Sequence, residues 1–320
     1  MLAPLAGGPS TPQLAAAVSN AGGLGFVAAG YLSAAEFAAR LARTRELTDG
    51  PLGANVFVLR EAPVDEAALA AYARELEREA AALGVELGDA RFDDDELAAK
   101  LEAAAGIDVV CTTFGCLAAA AAERLQAAGT RVWATVTSAH EARAARAAGA
   151  DALVVQGAEA GGHQGSWTDT DDSPRPLAEL LREVRESVEL PLVAAGGIGA
   201  RADVVAALEA GAAAVQAGTA FLLATEAGTS APHRRAVAAG GETAITRAFT
   251  GRRARGIVNE FMRAHPRAPS AYPHVHYLTA PLRAAARAAG DEQRINLWAG
   301  VNVAGAEAEP AAEIVRGLRA

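Results

Sequence analysis

Short apolar runs alternate with alanine-rich stretches of helical period along most of the chain, recurring at intervals of roughly 20–35 residues. Eight of these runs read as strands: Ala3–Ala6, Leu24–Ala28, Ala54–Val58, Val109–Thr113, Val132–Val136, Ala152–Gln156, Leu192–Ala195 and Ala214–Ala217. Between them, Pro12–Ala21, Ala34–Arg43, Ala139–Ala148 and Arg201–Ala210 carry the helical period. Ser10 or Thr11 is placed to cap the first of these helices, with Pro12 in its first turn. Gly129, Gly149 and Gly211 sit where helices should end. A weak internal echo relates Ala148–Gly157 to Ala210–Gly218, each reading as helix end, turn, buried strand and a polar residue at the strand's end.

Repeated strand–helix units of this kind predict an α/β fold, a (β/α)8 TIM barrel whose functional groups gather at the C-terminal ends of the strands. A doubly wound open sheet is the alternative, although no Gly-x-Gly-x-x-Gly fingerprint follows the first strand. Leu69–Glu102 reads as a charged helical excursion between the third and fourth strands. From Thr225 to Leu297 the pattern changes to arginines, prolines and helical pieces near Pro232–Ala239 and Ala280–Ala289. The expected organisation is therefore a barrel over 1–224, rejoined by about 298–320, with a mainly helical C-terminal subdomain over its mouth at 225–297. Ala311–Leu318 reads as a helix returning to the barrel.

Composition sharpens this picture. Alanine exceeds a quarter of the 320 residues and aromatics are only 5%, which favours closely packed helices over an all-β fold. A formal charge of −9 argues against nucleic acid as a partner. The weakly polar run Ala210–Ala224 is too short and too weakly apolar to span a bilayer, and no signal peptide is visible, so a cytoplasmic location without a membrane partner is expected. Lys100 is the single lysine. It follows Glu96 by four residues, which suits a solvated helix pair, and its isolation argues against a Walker loop or a Schiff-base lysine.

Candidate chemistry lies in three loops. Ala194–Gly199 ends one strand and opens a helix, and Gln216–Thr219 ends the next strand and opens another. Glycine admits close backbone approach and free amides at a helix start complement phosphate, so the pair predicts a phosphate site; tight turns are the plainer alternative for either loop alone. After the sixth strand, Gln156–Gly165 is a glycine-rich loop that holds His163 and one carboxylate, Glu159. An imidazole there can act as a general base, where the plainer reading is a capping histidine. Asn55 is an amide in an apolar strand, suited either to a barrel hydrogen bond or to a heterocycle. His274 and His276 alternate as if on an extended segment, while His233 and His265 stand beside prolines in polar surroundings. None of these has the companions of a metal site, so no metal is expected. Cys111 and Cys116 lack Cys-x-x-Cys spacing and read as inert, buried thiols.

Taken together, these stretches resemble the flavin-dependent nitronate monooxygenases over nearly the whole chain. The resemblance runs through Ala3–Gly8 with Ser10-Thr11-Pro12, Ser19–Gly25, Gly53–Val56, Gln156–Gly165, Ala194–Gly199, Gln216–Thr219, Arg247–Arg252 with Ala254–Gly256 and Asn259, and Trp298–Gly300. It implies a TIM barrel that binds FMN and oxidises alkyl nitronates, such as propionate 3-nitronate, with O2 to a carbonyl compound and nitrite. In that family an anionic nitronate gives an electron to the flavin, and the semiquinone passes one to oxygen. By motif position Asn55, Gln156 and Gly161 would contact the flavin, Gly197, Gln216, Ala217, Gly218 and Thr219 would hold the phosphate, and His163 would be the active-site histidine. The partners implied are a small nitronate and O2, with a homodimer as the oligomeric option.

The chain departs from the family pattern at Leu5, where methionine is usual, and at Val301, where glutamine is expected. Family members carry several more residues before the motif at Ala3, which leaves two readings, a misassigned start or a weakened first strand and flavin site. Two other readings stay open: an FMN-dependent NAD(P)H reductase of enoyl thioesters or quinones, and a non-redox phosphate-ligand or flavin-binding barrel.

Overall fold

The computed structural model describes residues 1–169 and 174–320. Its strands, in chain order, are β1 (Gly25–Ala28), β2 (Leu52–Phe57), β3 (Val109–Thr113), β4 (Arg131–Val136), β5 (Ala152–Gln156), β6 (Gly162–His163), β7 (Leu192–Ala195), β8 (Ala214–Gln216), β9 (Thr243–Thr246) and β10 (Ala254–Ile257). Seven of them form a parallel sheet in the order β1-β2-β3-β4-β5-β7-β8, curled as expected of a barrel with helices outside. The connecting helices include Pro12–Asn20, Ala34–Leu47, Ala139–Ala147 and Arg201–Glu209. Thr11, rather than Ser10, caps the first, its hydroxyl accepting from the Leu14 amide.

The predicted strand Ala3–Ala6 is not a strand. The chain forms only a single parallel bridge there, Leu2 opposite Ala217. That bridge nevertheless joins the sheet's two edges, because the Leu2 amide donates to Leu24 and the Ala3 amide to Ala217. From Ala3 onward the backbone turns away to line a cavity, which removes it from the ladder.

The strands read as unbroken apolar runs because both of their faces are covered. In β5, Leu153 and Val155 point outward into the layer between sheet and helices, while Ala152 and Val154 join Phe26, Cys111, Trp133 and Val193 in the barrel interior. Alanines on the helices keep them close to the sheet, so a chain with few aromatics still fills its core.

The region after β8 holds the helices Ala231–Ala239, Glu260–Ala264 and His274–Ala288. It also contributes a three-stranded antiparallel sheet, β6-β10-β9, that reaches back to the β5–β7 loop. His274 and His276 therefore lie on a helix rather than an extended segment. His233 and His265 are buried, contrary to the polar surroundings expected of them; His265 packs beside Tyr72 and Phe261. The excursion forms the helices Glu66–Leu83 and Leu97–Ala103 and is not a solvated appendage. Leu69, Tyr72 and Leu76 pack with Phe249, Phe261 and Leu278, and the Gly88 amide donates to Leu278.

Lys100 overturns its expected pairing. It is 0% exposed and its Nζ lies 2.7 Å from Asp95, not from Glu96. The helix begins only at Leu97, so Glu96 falls outside the helical register that would have joined them. No helix among the described residues is long and apolar enough to cross a membrane.

Candidate active site

A cavity of about 380 Å³ opens at the C-terminal ends of the strands, within the range typical of small-ligand sites. Its wall includes all nine residues singled out above: Asn55, Gln156, Gly161, His163, Gly197, Gln216, Ala217, Gly218 and Thr219. They divide into two groups by what their polar atoms do.

The first group follows β7 and β8. Gly197 has φ +70, a conformation costly to residues with a Cβ. The amides of Gly199 and Ala200 are already occupied by the Asp203 carboxylate, at 2.9 and 2.8 Å. The amides of Gly197, Gly218 and Thr219 have no acceptor among the described residues. Thr219 begins a 3-10 turn, Thr219–Phe221, in place of the regular helix expected there. Its hydroxyl accepts from Gly300 at 2.8 Å. Ala217 differs from its neighbours: its amide and carbonyl bond Met1 and Ala3 at the barrel seam. Gln216 is buried, yet its Nε2 has no partner among the described residues. A buried donor left unmet costs about 1–3 kcal/mol, so a ligand oxygen or ring nitrogen is its natural complement.

The second group surrounds β2 and the loop after β5. Asn55 donates both amide hydrogens, to the Cys111 carbonyl at 3.1 Å and the Thr113 hydroxyl at 3.0 Å. Only its carbonyl oxygen remains for a ligand. Gln156 accepts from the Gly165 amide at 2.6 Å and donates to the His163 carbonyl at 3.3 Å, which pins the histidine loop at both ends. Gly161 is required by packing: a Cβ there would lie 2.5 Å from the Gly300 nitrogen. Glu159 faces another task, accepting from the Leu177 amide and so capping the helix Leu177–Ser187. The loop thus has one group available for proton transfer, and it is the imidazole.

His163 lies among the rings of Phe114, Tyr272 and Trp298, at centroid distances of 5.7, 5.5 and 5.7 Å. Burial, and then the charges of Arg252 and Arg283, push its pKa down to about 3. The imidazole is neutral at physiological pH. Its Nε2 is 2.9 Å from the Thr250 hydroxyl, which in turn donates to the Arg252 carbonyl at 3.3 Å. That contact fixes the orientation of the neutral ring. The Cys111 thiol is held far from reactivity, burial pushing its pKa up to about 12; Cys116 is only half-buried.

Several residues of this corner escaped the reading of individual motifs. Tyr31, Phe114, Tyr272, His276 and Arg283 come from separate loops and the C-terminal helix, and no short spacing relates them to His163. The position of Tyr31, just beyond a strand's C-terminal end, was the available signal.

The whole chain, residues 1–320, matches the family model described as nitronate monooxygenase. It is 40% identical to a nitronate monooxygenase of Paraburkholderia phytofirmans, over 99% of this chain and 90% of that protein. Among solved structures, it superposes with a TM-score of 0.96 on a nitroalkane oxidase from Streptomyces ansochromogenes, at 47% identity, covering 99% of this chain and 93% of the other. FabK from Thermotoga maritima shares the fold at a TM-score of 0.77 and 25% identity, covering 99% and 90%.

Proposed function

The chain belongs to the nitronate monooxygenase family, and from that premise we propose that it binds FMN and oxidises alkyl nitronates with O2 to a carbonyl compound and nitrite. The observation that carries this reading is one cavity joining three unengaged loop amides to a neutral histidine packed among aromatic rings.

The residues present suit FMN. Gly197, Gly218 and Thr219 offer backbone amides to a phosphate, beside the unpartnered Nε2 of Gln216. The Asn55 carbonyl offers an acceptor to a heterocycle N–H, with Gln156 and Gly161 completing that wall and Ala217 closing the barrel beneath. When bound, FMN supplies acceptance of electrons from the nitronate and their delivery to oxygen.

The protein's own contribution is positioning and proton management. His163 is neutral, so its unprotonated ring nitrogen can take the α-proton when the substrate arrives as a neutral nitroalkane. A substrate that arrives as the nitronate has no such proton, and His163 then orients it. Phe114, Tyr272 and Trp298 pack around the imidazole and hold its position.

An absorbance spectrum of the purified protein, followed by oxygen-electrode and nitrite assays with propionate 3-nitronate, tests the proposal. A flavin spectrum with nitronate-dependent oxygen uptake and nitrite release is the expected result. Failure to bind FMN on reconstitution overturns it, and a flavin that answers only to NAD(P)H moves the protein to a reductase.

A further inference from the structure

The turn after β1 carries Tyr31 into the cavity wall with φ +69, a region that L residues rarely adopt. The turn is gripped by residues 62 and 64 positions away. The Tyr31 amide donates to Asp95 Oδ1 at 3.0 Å, and the Ala34 amide to Glu96 at 3.2 Å. Asp95 is itself buried and left-handed, at φ +59, and its other oxygen lies against the fully buried Lys100. Two buried charges are expensive to desolvate. Here the chain's only lysine serves to hold the carboxylate that holds Tyr31.

The ring is fixed as firmly as the backbone. It stacks on His276 at 4.1 Å with the planes 6° apart and meets Phe57 edge-on at 5.4 Å. Its hydroxyl accepts from Tyr272 at 3.2 Å, while its own proton has no acceptor among the described residues. Burial pushes the phenol up to about 12, so that proton stays in place.

The surroundings carry excess positive charge. Arg252 and Arg283 are each 8% exposed and neither forms an ion pair among the described residues. Arg252 lies 4.1 Å over the Phe114 ring with its Nε unpartnered. Arg283 bonds only to Thr279 and His276. Of the carboxylates nearby, Asp169 is engaged by Arg247 and Arg253, Asp95 by Lys100, and Glu141 by the amides of Thr137 and Trp167. A donor hydroxyl, a neutral imidazole and two guanidiniums without an ion pair among the described residues together complement an anion.

We propose that Tyr31 is a specificity-determining residue, its hydroxyl donating to an anionic oxygen of the substrate's nitro group within the field of Arg252 and Arg283. This rests on the nitronate reading above.

The test compares FMN-loaded wild type with Tyr31→Phe, which keeps the ring and its stacking. Two constants are read: KM for propionate 3-nitronate, and the dissociation constant of nitrate, an inert oxyanion, by calorimetry. Loss of a hydrogen bond to a charged group should raise both by roughly 10- to 100-fold, with FMN content unchanged. A change below twofold in either constant overturns the proposal, as does a wild type that does not bind nitrate. If wild type leaves nitronates untouched, the nitrate comparison still decides. Weaker binding by Tyr31→Phe keeps the anion site while the reaction reading falls, and equal binding removes both.

Discussion

The two sides of the cavity are built in opposite ways. The side after β7 and β8 is backbone: glycine loops, unengaged amides and one buried amide side chain, contributed by segments about 20 residues apart. The His163 side is side chain: Tyr31, Phe114, His163 and Trp298 line it from distant parts of the chain, with Arg252 and Tyr272 packed against Phe114. A backbone cradle tolerates variation in neighbouring side chains but no added Cβ. A side-chain box tolerates neither displacement nor loss of charge, because its electrostatics depend on which groups stay buried together. The first side suits holding a cofactor of fixed shape, and the second suits tuning a reaction.

Four substitutions probe that division. The largest effect belongs to His163→Asn, which should lower turnover of a neutral nitroalkane by roughly 10²–10⁴-fold and turnover of preformed nitronate far less. Equal losses on both substrates, in parallel steady-state assays, would remove proton abstraction from the role of His163. On the backbone side, Gly218→Val would press a branched side chain against Leu5 and Ala3, whose atoms already lie 3.2 and 3.3 Å from a Cβ built there. FMN binding, followed by flavin fluorescence, should weaken by roughly 10- to 100-fold.

Gln216→Leu removes the unpartnered amide. Apoprotein stability should hold or rise, while FMN binding weakens by about tenfold. A less stable apoprotein in thermal melts would mean that Gln216 serves the fold rather than a ligand. The smallest effect is Arg252→Met, which removes a positive neighbour of His163 but keeps bulk against Phe114. Burial, the larger cause of the depressed value, remains, so the imidazole pKa should rise only part of the way from about 3 toward 6.5. With protonation made easier, the acid limb of kcat/KM for a nitroalkane shifts to higher pH. An unmoved limb would show that Arg252 does not act on His163.

Much of the fold and half of the site were legible from local pattern. Seven of the eight predicted strands form, because short apolar runs covered on both faces leave the same signal wherever they occur. The eighth, Ala3–Ala6, fails because its residues serve the cavity wall instead of the ladder. The β7 and β8 loops were found from glycines at strand ends, since free amides at such turns are a property of a few consecutive residues. β6, β9 and β10 escaped notice because a two-residue strand has no period, and its pairing with β10 spans about 90 residues.

Lys100 shows where local reasoning stops. Its neighbours in the chain point to a solvated pair with Glu96, yet the fold buries it against Asp95 beneath Tyr31. The order of residues carries the alternation of strand and helix, the glycine loops and the family motifs, all of which act over distances shorter than one βα unit. Only the packed molecule brings Tyr31, His163, Arg252 and Arg283 to one corner. Burial and charge at that corner arise from the sum of surroundings that are remote in sequence, and it is this sum that holds the imidazole neutral.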